Sequence, residues 1–522
     1  MENIEKYLSQ CPTYPHWKRI GIKNHHGFCI ILSSIRSKKS CGIGEYTDLL
    51  PLIDWCKKID MDVIQLLPIN ECYFKDYSPY NAISSCALDP IYLGLESLPF
   101  LEENRWLKDQ IKSFKKYNHT RRVKFDKVRK KKLKWLKTYY NIFSKKFQNS
   151  SSYISFIKQN FWLKPYSVFR VLKDYNHGKK WYRWKKNIQN PDERTVENIF
   201  LKFNKNTKFY IFLQYLSFNQ MMLVKNYATK NNVLIKGDIP ILINPDSVDV
   251  WYYRSFFDLS HIAGAPPDDF NIKGHKWGFF LFNWQALKDK NYSWWKQKLL
   301  VITNIYHLYR IDHAVGFFRI WAIKKKDKAI HGQFLPRNLK IWRKQGEEHL
   351  KMLIKFSPLL PIAEDLGFIP NMVYSSLKSL GICGTKVPRW EKKINMRDYE
   401  PISLTTLSTH DTETNDLWWQ SHKKNAKTLS KTNLWPYQEK LTFELKKRIL
   451  YDTHHSASIF HINLLQEYLS LFQELVDKNA KNERINISGV IKKSNWTYRI
   501  KPTIEELLSN EKLINVLKDI VN

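Results

Sequence analysis

Eight short apolar runs, separated by longer stretches with helical patterning, constrain the fold of this chain more than any other feature. The runs are rich in Val, Ile and Leu, and most of them end in a polar or charged residue. They occupy residues 28–32, 63–67, 233–242, 308–314, 359–366, 384–387, 404–408 and 484–487. Strands that alternate with helices pair in parallel through crossover connections. Eight such units predict an α/β fold, a (β/α)8 TIM barrel with helical insertions between strands, although an open doubly wound sheet could use the same elements.

Two gaps between the runs are too long for a single crossover helix. Residues 96–225 hold helical sequence rich in Lys and Trp, which predicts a mainly helical subdomain inserted between a first part of the barrel at 1–95 and its remainder at 226–522. A second helical insertion is predicted at about 415–480, and its end at 457–477 has the pattern of an amphipathic helix. The WYRW motif at 181–184 is either a platform for sugar rings or part of the core.

The formal net charge of +36, from 85 Lys and Arg against 49 Asp and Glu, raises the question of a nucleic-acid or membrane partner. The basic residues are spread along the chain, and the densest run, at 127–137, fits one polar helix face above Leu133 and Leu136. We therefore expect no nucleic acid and no membrane among the partners. A basic nucleic-acid-binding protein stays the alternative from another functional class, and its binding would fall steeply with salt.

The seven cysteines predict reduced, mostly buried thiols, since they are odd in number and form no CxxC pair. The first residues lack the basic-then-apolar pattern of a signal peptide, and no apolar run is long enough to span a membrane. These features predict a cytoplasmic protein. No metal and no cofactor are expected, because the sequence contains no EF-hand loop, P-loop or GxGxxG motif.

Acidic residues follow three of the apolar runs, within RIDH (310–313), AED (363–365) and THD (409–411). Arg310 and Asp312 are two residues apart, so they share one face of a strand. A guanidinium about 4 Å from a carboxylate favours its ionisation by about 4 kcal/mol at an effective dielectric near 20, and an ionised aspartate can act as a nucleophile. Glu364 follows several apolar residues, a setting in which a carboxyl can hold a proton for a leaving group.

A nucleophilic carboxylate together with a protonated carboxyl is the equipment of a retaining glycosidase. The two groups then lie about 5 Å apart and the reaction passes through a covalent glycosyl intermediate. A third carboxylate, here Asp411, can bind sugar hydroxyls and support the positively charged transition state.

The order of four motifs resembles the signature regions of the amylomaltase, or disproportionating-enzyme, family of 4-alpha-glucanotransferases in the alpha-amylase clan. These motifs are GDIPI (237–241), RIDH (310–313), AEDLG (363–367) and THD (409–411). Further matches cover almost the whole chain: GIGE (42–45), QLLP (65–68), SPY (78–80), DSVDVW (246–251), GAPPDDF (264–270), WG (277–278), RINISG (484–489) and NW (495–496) with Arg499.

The resemblance implies a hexosyl transferase of carbohydrate metabolism. Such an enzyme moves a segment of a 1,4-alpha-glucan, through a covalent glucosyl-enzyme, to the 4-hydroxyl of glucose or of another 1,4-alpha-glucan. Its substrates would be maltooligosaccharides and glycogen-type glucans, and its place would be in maltodextrin or glycogen metabolism.

The resemblance also implies a role for each matching residue. Asp312 would be the nucleophile, Glu364 the general acid/base and Asp411 the stabiliser of the transition state. The implied substrate-binding residues are Tyr80, Asp238, Trp251, Arg310, His313 and His410.

Within the implied binding set, Asp238 would orient Arg310, and the two histidines would bond hydroxyls of the transferred glucose. Tyr80 would stack on that glucose and Trp251 would line the cleft. Ordinary packing explains the tyrosine and the tryptophan equally well.

Residues 261–270 resemble the family's mobile loop over the acceptor side, which predicts a lid at about 261–275. Gly264 would provide a hinge, and the pair Pro266–Pro267 would stiffen the loop. A closing lid would keep water from the intermediate while a sugar hydroxyl enters. A surface loop without a catalytic effect is the alternative.

Departures from the family pattern, such as Ala314-Val315-Gly316 after RIDH, leave the preferred donor and acceptor open. A hydrolase with the same fold and carboxylates, using water as acceptor, is the alternative within the enzyme class. The oligomeric state is open as well.

Overall fold

Eight parallel strands form the central sheet of this computed structural model, which describes residues 1–267, 272–391 and 393–522. In the described ranges the chain has twelve strands, numbered here in chain order. The central eight are β1 (His25–Ile30), β2 (Val63–Leu66), β3 (Leu234–Ile239), β6 (Leu308–Ile311), β9 (Leu360–Ala363), β10 (Gly384–Lys386), β11 (Ser403–Thr405) and β12 (Phe460–Leu464). The other four are β4 (Phe257–Ala265), β5 (His275–Phe282), β7 (Ile320–Lys324) and β8 (Gln333–Leu335).

The central sheet closes into a barrel in which each strand pairs with the next one along the chain. The order runs from β10 through β11, β12, β1, β2, β3 and β6 to β9. The last gap is joined by a parallel bridge between Ile362 and Cys383, with the Ala363 N–H donating to the Cys383 carbonyl at 2.8 Å. The predicted (β/α)8 barrel is confirmed, and the carboxyl ends of all eight strands therefore open at one mouth.

The barrel strands form from apolar runs because both of their faces are buried. Every residue of β2, β9 and β12 is buried, as expected for parallel strands covered by helices outside and by side chains inside. Gly237 in β3 is required by close packing, because a Cβ there would lie 2.3 Å from the Tyr306 ring.

Seven of the eight predicted strands overlap barrel strands, but the eighth prediction is wrong. Residues 484–487 are not a strand, and the eighth barrel strand is β12, inside the segment predicted as the amphipathic helix 457–477. The apolar residues of that segment belong to a buried strand followed at once by a short helix, Leu465–Leu469, and together these imitate a helical period. The helical insertion predicted at 415–480 therefore contains a strand of the barrel.

A second sheet, of four antiparallel strands in the order β5-β4-β7-β8, was not predicted from the sequence. Its strands come from the connections between β3 and β6 and between β6 and β9. The loop predicted at about 261–275 is wrong for residues 261–265, because these belong to strand β4, and residues 268–271 of the prediction lie outside the described residues. Gly264 is not a hinge: a Cβ there would meet the His275 carbonyl oxygen at 2.1 Å, so glycine allows β4 and β5 to approach.

Twenty α-helices in the described ranges surround the sheets. The first nine are α1 (Glu2–Leu8), α2 (Tyr14–Ile20), α3 (Leu49–Lys58), α4 (Arg105–Ile111), α5 (Phe125–Gln148), α6 (Ser151–Gln159), α7 (Leu163–Tyr175), α8 (Glu193–Lys202) and α9 (Asn204–Lys230). The next five are α10 (Val248–Tyr252), α11 (Trp284–Asp289), α12 (Ser293–Thr303), α13 (Leu339–Phe356) and α14 (Asn371–Leu380). The last six are α15 (Asn415–Ser421), α16 (Lys423–Thr432), α17 (Phe443–His454), α18 (Leu465–Leu469), α19 (Ile504–Ser509) and α20 (Glu511–Val521).

The segment between β2 and β3 contains the helices α4 to α9, and its basic run is not a simple solvated face. Within α5, Arg129 and Lys132 point inward and are buried. Arg129 forms two hydrogen bonds with Asp89, at 2.7 and 2.8 Å, and Lys132 pairs with buried Glu45. In the WYRW motif both tryptophans are buried, so they contribute to the core and not to a sugar platform.

All seven cysteines are free and buried, as the sequence predicts. No helix within the described ranges is both long and apolar enough to cross a lipid bilayer.

Candidate active site

Four of the predicted site residues, Asp238, Arg310, Asp312 and Glu364, meet at the mouth of the barrel because three neighbouring strands present them in register. Asp238 in β3 is directly opposite Arg310 in β6, and Ile311 of β6 is opposite Ala363 of β9. Asp312 and Glu364 follow those last two residues, so they leave adjacent strands at the same level.

Arg310 holds the acidic residues together. Its Nη1 lies 2.8 Å from both carboxylate oxygens of Asp238 and 2.9 Å from Asp312 Oδ1. Its Nη2 lies 3.7 Å from Glu364 Oε2. Because one guanidinium reaches both, Asp312 and Glu364 lie on the same side of the fold, as a double displacement requires.

The environment of Asp312 differs from the sequence expectation in one respect. Burial raises the pKa of Asp312 to about 6, with Arg310 opposing this shift and Asp238 and Glu364 adding to it. Burial outweighs the favourable effect that Arg310 alone would have on the ionisation of Asp312. The RIDH pattern does not reveal that this carboxyl is buried. At pH 7 the carboxyl is still ionised by roughly ten to one, so it can act as a nucleophile.

Two backbone N–H groups fix the Glu364 carboxyl. The His313 N–H donates to Oε2 at 2.6 Å and the Leu366 N–H donates to Oε1 at 3.1 Å. His313 adopts the left-handed conformation, with φ of 49°, and strain of this kind at a non-glycine residue is often found at functional sites. Burial lowers the pKa of His313 to about 4, so its ring is neutral at pH 7 and can both donate and accept a hydrogen bond.

Asp411 is kept ionised by its neighbours. His410 Nε2 lies 3.3 Å from Asp411 Oδ2, and Asn486 Nδ2 donates to Oδ1 at 2.6 Å. Burial opposes ionisation of Asp411, but His410 and Asn486 outweigh it and hold the pKa of Asp411 well below its usual range. Burial likewise opposes protonation of His410, and the Asp411 carboxylate outweighs it and raises the pKa of His410.

Tyr80 lies at this site as the sequence predicts. Its hydroxyl donates to Asp238 Oδ2 at 2.8 Å. Its ring is stacked on the His410 ring, with centroids 5.2 Å apart and planes 18° apart. The tyrosine thereby connects the Asp238–Arg310 pair to the Asp411 side of the mouth.

Trp251 does not line the cleft, so that prediction is wrong. The side chain is fully buried and its Nε1–H donates to the Ile188 carbonyl at 2.8 Å. It packs against Phe169 and Trp184 in the helical part of the core. The DSVDVW motif therefore contributes packing at this position, which was the alternative reading.

The sequence interpretation gave no role to Asn486, Trp277 or Trp496, which also lie at the site. Asn486 bonds Asp411, and Trp277 meets the His313 ring edge to face at 4.9 Å. The Trp496 ring lies 5.7 Å from the rings of both Tyr80 and His410. All three belong to motifs that resemble the family, and this was the available signal.

Lys236 is a further residue that the sequence interpretation missed. It is buried inside the barrel below Arg310 and donates to Gln65 Oε1 at 2.8 Å. Burial, and then Arg310, lower the pKa of Lys236 to about 7. A buried lysine in a run of apolar residues gives no sign of its orientation in the sequence alone.

A long cleft adjoins the cluster. Asn486 and Trp496 line it together with Tyr77, Asn81 and Asn244, and its volume is about 670 Å³. Aromatic faces beside polar side chains are suited to sugar rings. In the ranges that the structure describes, no group of three or more His, Cys, Asp or Glu side chains is arranged to hold a metal ion.

Comparison with known proteins places this geometry in context. A family model described as 4-alpha-glucanotransferase matches residues 30–505. The chain is 42% identical to a 4-alpha-glucanotransferase of Chlamydia pneumoniae, over 99% of each chain, and 41% identical to one of Chlamydia caviae, over 97% of this chain and 96% of that one. The fold is similar to that of an amylomaltase from Streptococcus agalactiae solved in complex with acarbose, with a TM-score of 0.79, 23% identity, and 96% and 99% of the two chains covered.

Proposed function

The chain belongs to the 4-alpha-glucanotransferase family, and from this premise we propose that Asp312, Glu364 and Asp411 carry out its transfer reaction. The substrates are 1,4-alpha-glucans such as maltooligosaccharides and glycogen-type chains. The observation that carries the proposal is that a single guanidinium, that of Arg310, contacts both the carboxylate proposed as nucleophile and the carboxyl proposed as acid/base.

In the first step, Asp312 attacks the anomeric carbon of a donor glucose while Glu364 gives a proton to the departing 4-oxygen. Arg310 Nη1 lies 2.9 Å from Oδ1 of Asp312, and we assign the attack to the other carboxylate oxygen, Oδ2. The bond from carbon to the leaving oxygen breaks as the bond to Asp312 forms, and the shortened glucan leaves with its new hydroxyl.

In the second step, the Glu364 carboxylate removes the proton from the 4-hydroxyl of an acceptor sugar. That oxygen attacks the anomeric carbon and releases Asp312, so the configuration is retained after two inversions. Arg310 stabilises the carboxylate that departs. Asp411, Tyr80, His313 and His410 hold the ring that passes through the positively charged transition state.

Water is excluded as acceptor by the surroundings of the intermediate. Trp277 of the second sheet contacts His313 directly, next to Asp312. A large aromatic side chain at this position favours a sugar acceptor over a single water molecule, because the sugar gains binding energy from its own contacts with the protein. The lid function predicted for residues 261–275 is retained as a proposal for the parts of β4 and β5 nearest the mouth.

Incubation with maltotriose tests the proposed function. Transfer yields glucose together with a ladder of maltooligosaccharides longer than three units. A hydrolase yields glucose and maltose and no product longer than the substrate. Products limited to that second set would reject the transferase proposal while leaving the carboxylate assignment in place.

A further inference from the structure

The residues just before and just after the segment that carries Asn486 line a second cleft. Residues 486–496 of this segment border the long cleft beside the candidate active site, whereas Asn482, Glu483, Tyr498 and Arg499 line a separate cleft of about 450 Å³. The lining also includes the acidic Asp477 and five basic residues: Arg36, Arg121, Arg122, Lys478 and Lys501. We call this second cleft the arginine cleft.

Three of its arginines form hydrogen bonds to neutral groups only. Arg36 donates to the carbonyls of Lys501 and Thr120, at 3.1 and 3.3 Å. Arg122 donates to those of Asn482 and Ser494, at 2.7 and 3.2 Å. The carbonyl partners of Arg499 are Tyr117 and Gly42, at 2.8 and 3.1 Å, and its Nη2 also reaches Asn118 Oδ1 at 3.4 Å.

Carbonyl oxygens orient a guanidinium without cancelling its charge. Over the described ranges, no carboxylate lies within 4 Å of Arg36, Arg122 or Arg499. Arg499 is only 5% exposed, and the Nε–H groups of Arg36 and Arg499 are buried without a hydrogen-bond partner. Buried cations usually have a counter-ion, so this arrangement is incomplete without a ligand.

The acidic residues of the cleft, Asp477 and Glu483, already have partners within it. Asp477 pairs with Arg121 at the rim. Glu483 accepts hydrogen bonds from the Tyr498 hydroxyl at 2.7 Å and from the Asp477 N–H at 2.8 Å. Burial, and then the neighbouring Arg36, lower the pKa of Arg499 to about 9, and Asp48 opposes this shift only in part.

We propose that the arginine cleft binds a phosphate group, either inorganic phosphate or the phosphate of a small sugar monoester. Guanidinium groups present paired N–H donors that match phosphate oxygens. A dianion would offset two of the three arginine charges without reaching the active site. The volume of the cleft leaves room for a hexose beside the phosphate.

Calorimetric titration of the full chain with inorganic phosphate, with glucose 1-phosphate and with glucose tests this proposal. We expect saturable one-to-one binding of the two phosphate compounds and none of glucose at the same concentrations. Tighter binding of glucose 1-phosphate would assign the site to sugar monoesters, and equal binding would assign it to the phosphate group alone. Absence of saturable binding by both phosphate compounds would overturn the proposal.

Variants place the binding in this cleft. Arg122→Gln should weaken phosphate binding by about tenfold or more, since one charged hydrogen-bonding group is lost, whereas the distant Arg343→Gln should leave it unchanged. Because Arg122 also bonds two carbonyls, Lys478→Glu at the exposed rim provides a variant that spares the fold. It should weaken binding by roughly three- to tenfold through charge repulsion, and exposed Lys424→Glu should not.

The assay is independent of glucan transfer. Asp312→Asn should bind phosphate like the wild type, so loss of the transferase proposal would not affect this one. Equal affinity in the wild type, Arg122→Gln and Lys478→Glu would show that phosphate binds elsewhere and would reject the arginine cleft.

Discussion

Arg310 carries one positive charge and contacts three carboxyl groups, those of Asp238, Asp312 and Glu364. Burial disfavours the Arg310 cation, but Asp238 and then Asp312 outweigh it and raise the pKa of Arg310, so its charge is permanent. Two negative charges would remain uncompensated if all three carboxyls were ionised. The two neighbouring carboxylates add to burial in raising the pKa of Asp312.

Asp312→Asn should reduce kcat for transfer by at least about a thousandfold, because the amide keeps the volume of the side chain and removes the nucleophile. Transfer from maltotriose measures the effect. Exposed Asp398→Asn is the matched control and should retain wild-type activity. Substantial turnover by a folded Asp312→Asn protein would reject Asp312 as the nucleophile.

The acid limb of the pH profile should reflect Asp312. Its pKa is raised to about 6, chiefly by burial, and only the ionised form attacks. Activity should therefore be full above pH 7 and fall about tenfold for each unit below pH 6 in kcat/KM, which reports groups of the free enzyme. A profile that stays flat down to pH 4 would contradict the environment described for Asp312.

At the scale of elements, the sequence predicts most of the barrel because buried parallel strands are short, apolar and bounded by polar residues. It misses β12, whose residues read as a helix together with α18, and it misses the sheet β5-β4-β7-β8, whose strands are only partly buried. The carboxylates of the candidate active site could be predicted because each of them lies in a motif that resembles the family. Asn486 received no role because residues 484–487 were assigned to a strand, and Trp251 was misplaced because a motif does not show which way a side chain points.

Lys132 in α5 tests how the helical segment between β2 and β3 is fixed to the barrel. It pairs with Glu45 and donates to the carbonyls of Ile91 and Leu93, both at 2.8 Å. Lys132→Ala should lower the free energy of unfolding by about 3–5 kcal/mol, since Glu45 stays buried without its partner. Exposed Lys134→Ala in the same helix should change it by less than about 0.5 kcal/mol. Equal effects of the two changes in chemical denaturation would contradict this account.

At the scale of the whole molecule, the net charge of +36 has no single explanation. Part of it is exposed and part is gathered around the arginine cleft, whereas basic residues paired inside the fold, such as Arg129 and Lys132, are balanced by carboxylates and add nothing to it. Composition gives only the sum, so the sequence could not separate these contributions.

Acid sensitivity of the fold should arise at the end of the barrel opposite the mouth. There the rings of His26 and His461 on neighbouring strands are stacked 4.8 Å apart, and His26 Nδ1 lies 2.9 Å from His454 Nδ1. Burial lowers the pKa of His26 to about 4 and that of His461 to about 3. The unfolded chain therefore binds protons below pH 6.5 that the folded chain does not bind.

Stability should consequently be full above pH 6.5 and fall as the pH decreases towards 4, by about 1–3 kcal/mol for His26. Denaturant unfolding at pH 7 and pH 5 measures this loss. His26→Gln should reduce the difference between the two pH values, and exposed His331→Gln should not. The same loss in all three proteins would show that other groups cause it.

Capture of the covalent intermediate tests the central claim most directly. Glu364→Gln treated with maltotriosyl fluoride should still form the intermediate, since fluoride leaves without a proton, and should release it slowly because no base activates the acceptor. Mass spectrometry of the digested protein should then find the maltotriosyl group on the peptide that contains Asp312. A label on another residue, or equal labelling when Asp312→Asn is added to Glu364→Gln, would contradict the double displacement at this site.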